Sequence, residues 1–172
     1  MRADEAPVPG VGDPRYNLFV IGRRPRDEVQ ATRFLASLWR TEPASMGRLL
    51  GAIVHSSLAD VTEWSVRSEA VVPEGRLDIL VEAPGIARVA IEAKIDSGQG
   101  RSQLRRYREW LLRVGRPGER LALIYLTDDE ESLPDEVTKA GDDRDDYEAR
   151  NLRWRDLALH LVGFIESEFS VD

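Results

Sequence analysis

The sequence predicts an α/β domain around a mixed sheet, and three observations carry that reading. Apolar residues recur at helical spacing near both ends, looser period-two alternation fills the middle, and LALIYL at 121–126 is almost wholly apolar. At 172 residues and 42% hydrophobic content the chain can bury one core. Residues 1–15, rich in Pro, Gly and charge, read as a mobile arm, and 16–172 as a single domain.

Taken in order, the elements follow from their periods. Segment 26–39 carries Val29, Phe34, Leu35 and Leu38 at helical spacing, with Asp27 and Glu28 in the first turn, where a helix dipole favours anions. A second helix, 44–58, has Met46, Leu49, Leu50, Ile53 and Val54 on one face. Segment 61–72 alternates as a strand; RLDILVE (76–82) and RVAIEAK (88–94) are two more, joined by a five-residue loop as a hairpin. Segment 98–115 is an amphipathic helix through Leu104, Tyr107, Leu111 and Val114. LALIYL then reads as a strand buried on both faces. An acidic loop at 128–150 follows, and a helix at 155–169 closes the chain on Leu157, Leu161, Phe164 and Ile165.

Composition removes several function classes. With no cysteine, disulfide scaffolds, zinc–cysteine sites and thiol nucleophiles are excluded, and two histidines cannot build a multi-histidine metal site. No apolar run is long enough to span a bilayer and no signal-like leader opens the chain, so a cytoplasmic protein without membrane contact is expected. The net charge of −7 argues at first against a polyanionic partner. Yet residues 128–150 hold 11 acids and 3 bases, and the remainder, with 20 acids and 21 bases, is near neutral. Of the 24 basic residues only Lys94 and Lys139 are lysines, so a lysine here is the exception.

The hairpin is the informative piece. Strand alternation puts Asp78, Leu80 and Glu82 on one face of the first strand and Arg88, Ala90, Glu92 and Lys94 on one face of the second. A symmetric loop sets Asp78 opposite Glu92, and directly opposed residues have Cβ atoms about 5 Å apart. Like charges so opposed need compensation: Lys94 nearby, a shared proton, or a divalent cation. Carboxylates without histidine or cysteine favour hard Mg²⁺, with Mn²⁺ as a substitute. Such an ion lowers the pKa of bound water and neutralises phosphoryl oxygens, while a lysine adds a compact point charge. An acid two positions before a lysine arises by chance in roughly one case in five at 31 acids per 172 residues, so the weight rests on the facing Asp78.

These residues resemble the PD-(D/E)XK nuclease superfamily, whose signature is an acid on one strand and Glu-x-Lys on the next. Here Asp78 and Ile91-Glu92-Ala93-Lys94 supply that pattern, with Leu77 where the superfamily's name has proline. A bacterial subgroup is similar further: Glu28 before Arg33-Phe34-Leu35, then Arg76-Leu77-Asp78, Gln103-Leu104-Arg105-Arg106-Tyr107, and a strand ending in Thr127. The resemblance spans roughly residues 26–165 and implies a restriction-endonuclease-like α-β-β-β-α-β core. It implies a Mg²⁺-dependent phosphodiesterase, a hydrolase of DNA more than RNA, in a setting such as bacterial defence. Asp78, Glu92 and Glu28 would hold the metal, Lys94 would be the catalytic lysine, and Gln103 would sit beside the site. Arg101, Arg105 and Arg108, at i, i+4 and i+7, would contact phosphates of the nucleic acid. The alternatives are a non-cleaving nucleic-acid- or protein-binding module on the same fold, and a nuclease active only with a protein partner. A homo-oligomer is compatible with each.

Overall fold

The structure, a computed structural model, describes residues 27–94, 101–128, 132–138 and 145–169. The N-terminal arm, Lys139 and much of the acidic stretch lie outside the described residues. Helices α1 (Asp27–Thr41) and α2 (Pro43–Ile53) precede strands β1 (Ser65–Val72), β2 (Gly75–Ala83) and β3 (Ala87–Ala93). Helix α3 (Arg101–Val114) leads to β4 (Arg120–Thr127), the one-turn α4 (Asp135–Thr138), β5 (Tyr147–Arg153) and α5 (Trp154–Phe169).

The five strands form one mixed sheet in the order β1-β2-β3-β4-β5. The first three pair antiparallel, while β4 runs parallel to both β3 and β5. A parallel neighbour requires a crossover, and α3 and α4 provide the two. Both helices pack into one apolar cluster with Leu80, Ala90, Leu123 and Tyr125. On the other face Ile79, Val81, Val89, Ile91 and Ile124 meet α1, α2 and α5. With both faces covered, β4 buries every residue after Arg120.

Several expectations need correction. Residues 147–153, of which 147–150 were expected within the acidic loop, form edge strand β5, and 135–138 form α4, fastened where the Tyr147 hydroxyl donates to the Val137 carbonyl at 2.9 Å. Helix α2 stops at Ile53 rather than 58 because the chain turns back onto it. A Cβ on Gly47 would lie 2.8 Å from the Val61 carbonyl oxygen, and one on Gly51 2.6 Å from the Ala59 Cβ, so two glycines admit the returning backbone. The core stripe of α1 is Ala31, Thr32, Leu35, Ala36 and Trp39; Phe34 falls off it and is 54% exposed. Ile165 is also exposed, since α5 runs on past Leu161, the last buried residue among its described side chains. The β2–β3 loop is three residues, 84–86, with Gly85 at φ 75°, the left-handed position such a loop requires.

Candidate functional site

The hairpin register places the two acids as the alternation implies. Leu80 pairs with Ala90 and Ile79 with Ile91, so Asp78 stands opposite Glu92 one step further on. There the backbone ladder ends, and the Ala93 N–H donates to Asp78 Oδ2 at 2.8 Å. The carboxylate takes the rung that a strand carbonyl would otherwise accept. On the other side β3 continues its parallel ladder, with the Lys94 N–H donating to the Leu126 carbonyl at 2.7 Å.

Glu92 is 1% exposed. Its Oε1 accepts from Lys94 Nζ at 2.6 Å, and its Oε2 is buried with no hydrogen-bond partner. Burial foremost, then the charge of Asp78, lifts its pKa from the ordinary 4.5 to about 7, against the opposing pull of Lys94. Burial likewise raises Asp78, opposed by the Ala93 N–H and by the charges of Lys94 and Arg76. For Lys94, burial works against the charge but is outweighed by the hydrogen bond and charge of Glu92, so its pKa is raised. Lys94 Nζ also lies 3.7 Å from Glu28 Oε1, which brings the first turn of α1 to the site. Glu28 therefore reaches the acid pair through the lysine.

A stability measurement follows from Glu92. Between about 4.5 and about 7 the native state keeps a proton that the unfolded chain has released, so this group makes stability fall as pH rises across that window. The full difference is worth roughly 3 kcal/mol at 1.36 kcal/mol per unit. Denaturant unfolding in chelator at about pH 5 and about pH 8 is expected to show a smaller pH-driven loss for Glu92→Gln than for the parent. Equal losses in the two proteins would refute this account of Glu92.

The remaining expected residues are placed unevenly. Gln103 Nε2 donates to the Tyr107 hydroxyl at 2.9 Å, and that hydroxyl donates to the Arg76 carbonyl at 2.6 Å. The Gln103–Tyr107 pair thus ties α3 to the strand end two residues before Asp78. Arg105 is exposed and lies 3.9 Å from Glu109, whereas the Arg108 guanidinium sits over the Tyr147 ring, 5.8 Å from its centroid. The side chain of Arg101 lies outside the described residues.

Sequence reasoning missed the groups on the β1 side. Glu69 falls between the pairs Ser68–Ile79 and Ala70–Leu77, which sets it opposite Asp78. Its φ is 51°, a left-handed backbone in mid-strand. Across this point the strand faces exchange: Val66 and Ile79 belong to one core cluster, Ala70 and Leu77 to the other. Glu69 Oε2 accepts from Arg33, with Nε at 2.8 Å, and its Oε1 lies 3.4 Å from Arg76 Nη1. Such a backbone is strained, and exposed ion pairs offset little of that strain. Nothing in a mid-strand glutamate announces a left-handed φ; the only clue was Arg76 two positions before Asp78.

Two carboxylates facing each other, one with a buried oxygen lacking a partner, fit a hard divalent cation. Among the described residues no three or more His, Asp or Glu side chains are already gathered as a metal site. The candidate donors are therefore Asp78 and Glu92, with Glu28 standing behind Lys94. Among the described residues no helix is long and apolar enough to cross a membrane.

No curated protein matches the chain. A family model described as the PD-(D/E)XK nuclease superfamily matches residues 22–164, a span that contains the hairpin, its acid pair, Lys94 and all five strands. The chain belongs to the PD-(D/E)XK nuclease superfamily.

Proposed function

We propose that this protein is a divalent-metal-dependent nuclease that hydrolyses phosphodiester bonds, with DNA as its substrate. The observation that carries the reading is Glu92: a buried carboxylate opposite Asp78, one oxygen bound to Lys94 and the other without a partner. As a purely structural group it destabilises the fold at neutral pH, whereas as a cation ligand its free oxygen acquires a use. Membership of a nuclease superfamily supports the same reading.

In this mechanism Asp78 and Glu92 would hold Mg²⁺, or Mn²⁺ in its place. When bound, the ion supplies Lewis acidity and lowers the pKa of a coordinated water. Asp78 Oδ2 keeps the Ala93 amide as its anchor, which fixes the carboxylate against the strand end. Lys94 Nζ, held between Glu92 and Glu28, presents an ammonium to the negative charge that builds on the phosphoryl oxygens and orients the attacking water. Glu28 helps keep that ammonium charged, since carboxylates on both sides favour the protonated form. Tyr107 and Gln103 hold β2 in register with α3, so Asp78 is carried on a braced strand. Arg105 and Arg108 would contact the substrate backbone from α3.

The test is incubation with Mg²⁺ or Mn²⁺ and a panel of linear, nicked, branched and single-stranded DNA and RNA. Cleavage of DNA that chelator stops is the expected outcome. Binding of every substrate with steep salt dependence and no cleavage would instead assign a binding module. Cleavage appearing only after host lysate is added would point to a protein partner.

A further inference from the structure

Five charged side chains are linked by contact or charge to the acid pair Asp78 and Glu92: Glu28 and Glu69 against Arg33, Arg76 and Lys94. Lys94 belongs to the acids it touches, which leaves Arg76, whose charge acts on Asp78, and Arg33, joined to it through Glu69, as cations that the proposed mechanism does not use. They come from different elements, Arg33 from α1 and Arg76 from the start of β2, and a single carboxylate bridges them. Glu69 gives Oε2 to Arg33 and Oε1 to Arg76, yet both arginine side chains remain more than half exposed at 59% and 65%. A guanidinium carries five N–H donors, so one carboxylate leaves most of the pair's donors unused by that contact. The Arg33 hydrogen bond in turn holds the Glu69 carboxyl below its ordinary range.

We propose that Arg33 and Arg76, set side by side by Glu69, form a clamp for a backbone phosphate of the polynucleotide next to the one attacked over Asp78 and Glu92. The proposal rests on the nuclease reading for the identity of its ligand. Planar guanidinium forks match phosphate oxygens two by two, and this triad keeps a net positive charge after Glu69 is counted. The strained backbone of Glu69 is the second support. Exposed ion pairs do not offset such strain, so a role in fold stability alone leaves it unexplained. A role in holding two arginines at a fixed place beside Asp78 explains both the strain and its position in the register. Glu69 is then a positioning residue, and the arginines are the binding groups.

The experiment is fluorescence anisotropy of labelled single- and double-stranded oligonucleotides with calcium in place of magnesium, titrated over a range of salt. Arg33→Gln and Arg76→Gln are each expected to weaken binding several-fold and to reduce the salt slope by about one, and the double variant by about two. Arg33→Lys keeps the slope because it keeps the charge. Arg150→Gln, on the far edge strand, keeps it too, which separates a phosphate contact from general surface charge. Glu69→Gln is expected to weaken binding although it removes a negative charge; tighter binding would overturn its positioning role. Wild-type slopes in both arginine variants of a protein that cleaves DNA overturn the clamp alone. Altered slopes in a protein that never cleaves overturn the hydrolytic reading and leave the clamp standing. Failure of the wild type to bind any polynucleotide overturns both.

Discussion

Lys94→Ala is expected to slow single-turnover cleavage by about 10²–10³-fold, the loss typical of one preorganised charge donor. The side chain has two attachments, 2.6 Å to Glu92 and 3.7 Å to Glu28, and both disappear with it. Glu92 also loses the two influences that hold its pKa down, so it climbs further above about 7 and becomes a poorer ligand near neutrality. The rate loss should therefore shrink as pH is raised, because hydroxide ionises the acid that the lysine no longer helps. Lys94→Arg is not expected to rescue the rate: a guanidinium is broader, and its charge is spread over a fork. Cleavage by Lys94→Ala within about tenfold of the parent would remove the lysine from the chemistry.

Asp78 separates two roles that one substitution usually confounds. Asp78→Asn keeps an oxygen able to accept the Ala93 N–H, while Asp78→Ala leaves that amide without its partner. An unsatisfied buried donor costs about 1–3 kcal/mol, so the alanine variant is expected to melt several degrees below the asparagine variant in chelator. Asp78→Asn should melt close to the parent, because it also removes a carboxylate that burial disfavours. Both variants should cleave at least about 100-fold more slowly, since neither offers a charged ligand. Thermal melts and cleavage assays on the same preparations decide the matter. Equal melting of the two variants would deny the backbone role, and parent-like cleavage by Asp78→Asn would deny the ligand role.

The acid pair was legible in the sequence because hairpin register is local. A loop of five residues and the observed loop of three share the same centre at Gly85, so either length sets Asp78 opposite Glu92. Strand β4 was legible because a strand with parallel neighbours on both sides and both faces covered has no use for polar side chains. Strand β5 was not: YEARNLR is an edge strand with exposed charge, which hides it within an acidic stretch. The stripe on α1 was misread at Phe34 because alanine and threonine carry little periodic signal, although Ala31, Thr32 and Ala36 are what let the helix approach the sheet. Glu28 was legible only by resemblance, since nothing local says that a first-turn acid meets a strand-end lysine. Arg108 was expected to contact phosphates together with Arg105, and β5, which the sequence did not reveal, supplies the Tyr147 ring that its guanidinium covers.

The amide of Ala93 makes the two acids unequal witnesses to natural selection. A descendant of this protein that had given up cleavage would still gain from an acceptor at position 78, because the strand end is tied there. It would gain little from a carboxylate at position 92, where burial and an oxygen without a partner outweigh the Lys94 hydrogen bond. Drift would replace Glu92 first, with glutamine or an apolar side chain of similar size, and would leave Asp78 in place. Between the two, Glu92 is the residue that a purely structural role explains least.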